Sequence, residues 1–306
     1  MSSILFSVII PTYKRRIKLQ RAINSVLSQT YKNWEILVID NFSEDGTNEM
    51  IKNYCNNKIK ILHIKNNGCI AKSRNLGVKK AKGKFIAFLD SDDYWFKDKL
   101  NCCNQVLIKN KEAKFIYHNM YINNKIFNFI SKSISYFRQV KLPVYEDLII
   151  NGSAFPTSSV VLDKKIFKRI NMFDTNKNLI TWEDYDAWIR FSKISNNFIC
   201  INKILGVYTY DNENTLNNKR QILNINSFRK KYFIREYKKK GSWCYYALFI
   251  SYFKEKKYKS ALNFFFKINL KNLKNLDKIK LLICFLVLRL NLNLLRLKFH
   301  KARFIF

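Results

Sequence analysis

The first 90 residues alternate short apolar runs with amphipathic stretches, and that rhythm constrains the fold more than any other feature of the chain. Residues 7–10, 35–39 and 85–89 are apolar runs of strand length, and residues 60–64 alternate as a strand does. Between them, residues 17–29 place Leu19, Ala22, Ile23, Val26 and Leu27 at helical spacing, and residues 47–55 and 71–82 read as helices, the second stopped near Gly83. Strand and helix alternating at this spacing predict a mostly parallel α/β sheet flanked by helices. Such sheets take their ligands outside the carboxyl ends of the strands.

Further along, residues 97–110 read as a helix and 114–117 as a strand, and 120–155 as loops and short elements. Residues 157–162 read as a strand, 163–170 as a short helix, 183–194 as a helix with Ala187, Trp188, Phe191 and Ile194 on one face, and 198–201 and 205–210 as strands. After about residue 217 strand signals end, and residues 220–239, 244–254, 256–267 and 276–300 read as helices. The expected organisation is an α/β domain over residues 1–216, with a nucleotide-binding half over 1–95 and an acceptor half over 96–216. A basic helical region over 217–306 follows.

Lys and Arg number 56 against 22 Asp and Glu, a formal net charge of +34. Residues 219–306 hold 23 basic and 3 acidic side chains, so an excess of 20 sits in that segment. A basic surface attracts polyanions such as nucleic acid, anionic lipid or phosphorylated substrates. The chain is also rich in Lys, Asn and Ile throughout, so charge alone selects poorly among these. With 7 Gly and 3 Pro, collagen-like and Pro/Gly-rich classes are excluded. Seven cysteines without a C-x-x-C pair predict free thiols in a reducing compartment. The N-terminus shows no signal-peptide pattern, and the strongest apolar run, residues 281–288, is far short of the roughly 18 residues of a spanning helix. The expectation is a cytoplasmic protein, or one that sits on a membrane from the cytosolic side.

Acidic residues mark two of the predicted strand ends. Asp40 follows residues 35–39, and Asp90-Ser91-Asp92-Asp93 follows residues 85–89. Clustered carboxylates repel unless a cation sits among them, and Asp and Ser oxygens suit Mg²⁺ or Mn²⁺, ions that bridge phosphates. The plainer reading is an Asp-rich turn capping the next helix. A later run, Glu183-Asp184-Tyr185-Asp186, opens a helix whose dipole it complements. One of its acids becomes a general base if the fold brings it to the first cluster. Between them, residues 67–77 form a polar glycine turn opening a helix, with Lys72 and Arg74 suited to phosphate.

These motifs together resemble the family-2 glycosyltransferases with the GT-A, Rossmann-like fold. The resemblance rests on Ser7-Val8-Ile9-Ile10-Pro11-Thr12-Tyr13, on Ser25-Val26-Leu27-Ser28-Gln29-Thr30-Tyr31, and on the spacing to Asp40. It rests further on Asn67, Ala71 and Arg74-Asn75-Leu76-Gly77, on residues 81–95 with Asp90-Ser91-Asp92-Asp93, and on Glu183-Asp184-Tyr185-Asp186-Ala187-Trp188. It covers about residues 4–210. It implies that Pro11, Thr12 and Tyr13 line a nucleotide pocket and that Asp40 accepts from the uracil N3–H. Asp90, Ser91 and Arg74 would contact the donor. Asp92 and Asp93 would fall at a Mn²⁺ or Mg²⁺ site, Asp92 also on the donor, and Asp184 would deprotonate the acceptor hydroxyl. It implies inversion, with an α-linked nucleotide sugar giving a β-glycoside. Asn41-Phe42-Ser43 departs from the family's common Asp-Gly-Ser after Asp40, and no Gln-x-x-Arg-Trp motif of processive synthases is present, which points to addition of one sugar.

The function expected from this is metal-dependent hexosyl transfer from a UDP-sugar, glucose ahead of galactose, to a polyprenyl-diphosphate-linked or other lipid-linked saccharide. The expected linkage is β-1,3, in O-antigen, lipopolysaccharide or related surface-glycan synthesis. The basic tail, with Leu281, Leu282, Phe285, Leu288 and Leu292 at helical spacing, is expected either to lie on an anionic membrane at the inner face of the bacterial inner membrane or to pack on the core. A sugar nucleotidyltransferase would share the paired Asp but leave Glu183-Asp184 without a role. Nucleic-acid binding would use the charge, but no recognition-helix or aromatic-platform motif is present, so no nucleic-acid partner is expected.

Overall fold

The structure is a computed structural model, and it describes residues 3–124, 133–135, 138–210, 217–233, 242–270, 278–279 and 281–287. The chain divides into two units, Met1–Leu148 with Ser153–Thr215, and Ile149–Gly152 with Leu216–Phe306.

In the first unit, β1 (Phe6–Thr12) and β2 (Trp34–Asp40) are buried along their whole length, as near-continuous apolar strands of a sheet covered on both faces must be. Helix α1 (Arg16–Leu27) links them and buries Leu19, Ala22, Ile23 and Val26. After α2 (Thr47–Lys52), β3 (Ile59–His63) pairs parallel to β2; after α3 (Ile70–Lys80), β4 (Phe85–Phe88) pairs parallel to β1. Thr12 lies opposite Asp40 and Asp40 opposite His63, so these strands end at one edge. The N-terminal half of the sheet is therefore parallel, as its sequence rhythm requires.

The other half is mixed. The order is β3-β2-β1-β4-β8-β6-β9-β5, with β7 (Ser133–Ser135) beside β6 (Phe115–Asn124). Here β5 is Tyr94–Trp95, β8 is Val161–Asp163 and β9 is Phe198–Tyr210. β8 is antiparallel to both β4 and β6, and β9 is parallel to β6. Helices α4 (Lys99–Lys109), α5 (Val144–Asn151), α6 (Lys164–Arg169) and α7 (Glu183–Ser192) complete the series.

Two local readings differ from the sequence pattern. Residues 157–162 are not one strand: Thr157–Ser159 form a 3-10 turn before β8. Ser159 donates to the Pro156 carbonyl through both its amide and its hydroxyl, a local bond that competes with the ladder. Residues 198–201 and 205–210 belong to one strand, β9, because register shifts around Asn119 carry the pairing past the polar Asn202-Lys203 step.

A cluster of aromatic rings sets where the helices lie. Trp188, four residues beyond Asp184 on α7, meets Phe115 at 5.0 Å, Phe173 at 5.7 Å and Phe88 at 6.2 Å between ring centroids. Phe88 ends β4, so this contact fixes the start of α7 against the end of β4. Gly77 does the same for α3: a Cβ there would lie 2.6 Å from Ile9 and 3.3 Å from Ile39, so the helix sits closer to β1 and β2 than any side chain allows.

In the second unit, α8 (Asn218–Tyr232), α9 (Ser242–Lys254) and α10 (Tyr258–Phe265) are followed by helical residues 278–279 and 281–287. Phe249, Ala261 and Leu281 form its apolar centre, with Phe265 stacked on Phe285 at 4.4 Å. The expected helical positions 234–239, 276–277, 280 and 288–300, including Leu288 and Leu292, lie outside the described residues. Among the described residues, no helix is long and apolar enough to cross a membrane.

Candidate functional site

The carboxyl ends of β1, β2 and β4 bring together residues that stand far apart in the chain. Pro11 and Thr12 are buried at the end of β1, and Tyr13 is half exposed beyond them. The Thr12 hydroxyl is buried with no hydrogen-bond partner among the described residues. Asp40 is buried and accepts from the Ser43 amide at 3.0 Å and the Ser43 hydroxyl at 2.5 Å, with His63 Nδ1 at 3.2 Å. Ser43 is thus the residue that orients Asp40. Phe42, in the left-handed region at φ 56°, projects outward and meets the His63 ring at 5.6 Å.

The second acidic site converges on the first through Arg74. Its guanidinium is buried, donating to Glu183 at 2.7 Å and to Asp90 at 2.6 Å. Arg74 is therefore turned inward, joining the two acidic motifs, rather than held out toward solvent. Next to it, Asn75 exchanges two bonds with the Phe173 backbone, tying α3 to the loop that leads to α7. The Arg74-Asn75-Leu76-Gly77 motif is thus explained by three contacts: acids, backbone and sheet.

A second bridge runs through the Thr157–Ser159 turn. Thr157 Oγ1 donates to Asp184 at 2.6 Å, and Ser158 Oγ donates to Asp93 at 2.5 Å. Asp93 also accepts from the Thr209 amide at 2.8 Å. Both its oxygens are engaged and its side chain is buried. Burial, reinforced by the charges of Asp92 and Asp90, holds its carboxyl well above the usual range. Asp92 is nearer the surface and pairs with Arg15 at 2.6 Å, while its carbonyl accepts from Thr209 Oγ1 and Arg21. Ser91 is buried beside it.

Burial also raises the Asp184 carboxyl, against the Thr157 hydroxyl and Arg74, which favour its charged form. Burial pushes Glu183 up to about 7 although Arg74 pulls it down. Tyr208 on β9 titrates above its ordinary value, first through burial and then through Asp93, Asp90, Asp92 and Asp184, so one phenol lies within the field of all four acids. Asp186, by contrast, turns away to Arg190 at 2.7 Å. The sequence offered no signal for Tyr208 or Thr209, while Arg15 stands in the basic Lys14-Arg15-Arg16 run after β1 and Thr157 and Ser158 in the hydroxyl run after Pro156.

The donor set at this edge fits a hard divalent ion in part. Asp90 is partly exposed and Asp92 just covered, and both already attract cationic groups, Arg74 and Arg15. Asp93 lies deeper, where Ser158 and the Thr209 amide each donate to one of its oxygens, and each oxygen keeps a second lone pair for an ion. Among the described residues no three His, Cys, Asp or Glu side chains are grouped to hold an ion by themselves. That pattern suits an ion that keeps waters and shares phosphate oxygens.

Comparisons with known proteins agree with this geometry. The model for glycosyl transferase family 2 matches residues 7–170. The chain is 34% identical over 202 residues to an Escherichia coli UDP-Glc:α-D-GlcNAc-diphosphoundecaprenol β-1,3-glucosyltransferase, WfgD, covering 66% of this chain and 75% of that protein. It is 27% identical over 252 residues to a putative teichuronic acid biosynthesis glycosyltransferase of Bacillus subtilis, TuaG, covering 79% and 93%. Its fold is similar to that of S. aureus TarS residues 1–349 in complex with UDP, with a TM-score of 0.58 at 21% identity over 87% of this chain and 76% of that one. It is also similar to a Pyrobaculum calidifontis mannosyltransferase in complex with GDP-Man and Mn²⁺, with a TM-score of 0.57 at 15% identity over 85% and 73%.

Proposed function

This chain belongs to glycosyl transferase family 2, and we propose that it moves one hexose from a UDP-sugar to a lipid-linked saccharide with inversion. The observation that carries the reading is the double bridge, Arg74 and the Thr157-Ser158 turn, which joins Asp184 to the acidic edge after β4. Pro11, Thr12, Tyr13 and Asp40 bind the nucleotide at the ends of β1 and β2, and the unpartnered Thr12 hydroxyl donates to it. Asp90, Ser91 and Asp92 face the donor's sugar and diphosphate. Asp184 accepts the proton of the acceptor hydroxyl, whose oxygen attacks the anomeric carbon as the bond to the diphosphate breaks. One base suffices, because the leaving group is already stable; a glycosidase would need two opposed carboxyl groups and water.

When bound, Mn²⁺ or Mg²⁺ would supply positive charge to the diphosphate, held by Asp92 and Asp93. Arg15 adds charge at the same place. Arg74 keeps Asp90 and Glu183 in position. Residues 1–216 carry this chemistry, with the nucleotide in 1–95 and the acceptor in 96–216. Residues 217–306 serve peripheral association with the inner face of the bacterial inner membrane, where a lipid-linked acceptor resides. The WfgD likeness supports UDP-glucose ahead of UDP-galactose, a diphosphate-linked acceptor and a β-1,3 linkage, in O-antigen or related surface-glycan synthesis.

The test is a panel of nucleotide sugars with a synthetic GlcNAc-diphosphate lipid, the product read by NMR. Release of UDP with a new β-glycoside is expected. Release of pyrophosphate would favour nucleotidyl transfer instead and overturn the reading.

A further inference from the structure

The helical residues near the end of the described chain are apolar on two faces. Leu281 is buried, and Cys284 and Phe285 pack with it on Phe249, Ala261 and Phe265. Ile279, Leu282, Ile283, Leu286 and Val287 point the other way, each between 38% and 59% exposed. Leu282, Ile283, Leu286 and Val287 follow one another at i, i+1, i+4 and i+5, one stripe on the helical residues 281–287. The sequence pattern put Leu281, Leu282 and Phe285 on one face, but the structure separates them: Leu281 and Phe285 turn in and Leu282 turns out. Phe266, 78% exposed, and Leu270 add to the same unit's apolar surface. A stripe of this continuity marks an interaction surface rather than scattered exposed residues.

We infer that this stripe inserts into the interface of an anionic membrane. The charge of the segment chooses the occupant. Residues 219–306 carry 23 basic and 3 acidic side chains. Lys254, Lys256, Lys257, Lys259 and Lys267 are exposed, and Glu255 is the one acid among the described residues of this unit. A second copy of the chain would bring like charges together. An anionic bilayer offers headgroups for the lysines and an acyl boundary for Leu, Ile and Phe. The inference rests on the membrane association proposed above for residues 217–306 and names the surface that would carry it, and it does not depend on which sugar is moved.

Flotation of the full chain with phosphatidylglycerol-containing vesicles, and with pure phosphatidylcholine vesicles, tests it. The wild type is expected to float with the anionic vesicles, less so as salt rises. Leu282→Gln with Leu286→Gln, which leaves the charge unchanged, is expected to reduce partitioning roughly tenfold or more. A second outward pair, Ile279→Gln with Ile283→Gln, repeats the test on the same unit's apolar surface. UDP-sugar hydrolysis, measured alongside, stays unchanged in both, so loss of that activity in the wild type would count against the transfer reading and not against the surface. A wild type that stays unbound to anionic vesicles, or variants that float as well as it does, would overturn the inference. So would a wild-type dimer in sedimentation that both pairs convert to monomers.

Discussion

Replacing Arg74 with Met keeps most of the side chain's volume and removes the charge between Asp90 and Glu183. Removing one partner of a buried ion pair costs about 3–5 kcal/mol, because the other charge is left without compensation. Arg74 is 4% exposed and Glu183 3%, so solvent does not screen the loss. The cost depends on pH in a stated direction. Burial raises Glu183 to about 7 with Arg74 beside it, and it rises further without Arg74. A carboxyl raised in the native state contributes most stability below its unfolded value, near 4.5, and loses that contribution as pH rises through the native value. The Arg74→Met loss is therefore largest above about pH 8 and shrinks toward pH 7, as Glu183 takes up a proton. Urea unfolding followed by near-UV tryptophan signal reads this, since four of the five tryptophans lie in the first unit. Adding Glu183→Gln is expected to recover at least half of the loss, and the double-mutant cycle isolates the pair. A loss below about 1 kcal/mol at pH 8, or one that grows on acidification, would refute the ion-pair reasoning.

Asp184→Asn is expected to lower turnover by about 10²–10⁴-fold while leaving UDP-sugar affinity by calorimetry unchanged. Thr157→Val removes the hydroxyl that favours charged Asp184, so the acidic limb of the pH–rate profile moves to higher pH. Asp92→Ala or chelation is expected to abolish transfer, with Mn²⁺ binding by Asp92→Ala lost in electron paramagnetic resonance. Asp93→Ala is expected to abolish metal-dependent transfer as well, and to lower stability by about 1–3 kcal/mol, because Ser158 and the Thr209 amide lose their acceptor. Lys99 is buried over the Trp95 ring at 3.3 Å, its amine without a hydrogen-bond partner among the described residues, and burial lowers it to about 7. Wild-type stability therefore rises between about pH 7 and pH 10, and Lys99→Met removes that rise while adding roughly 2–4 kcal/mol at pH 6.

Much of the site was legible in the chain because local pattern carries it. A parallel strand–helix rhythm puts Asp40 and Asp90 at one sheet edge whatever the rest of the fold does. What pattern could not supply was the use of each residue. Asp92 and Asp93 are adjacent in sequence and both buried, yet one pairs with Arg15 and the other accepts from Ser158 and Thr209. Arg74 looks like a phosphate ligand in a glycine turn but is turned inward. Among the described residues of the tail, Leu281 and Phe285 turn inward while Leu282 and Leu286 turn outward.

The sequence alone determined the apolar strands, the helices between them and the acids at the strand ends, because those follow from spacing over a few residues. Only the tertiary structure decided which acids meet. Arg74 reaches Asp90 across 16 residues but Glu183 across 109, and Thr209 reaches Asp93 across 116. Contacts at such separations are set by how Trp188, Phe88 and Gly77 let the helices settle on the sheet, and no short stretch of chain carries that information.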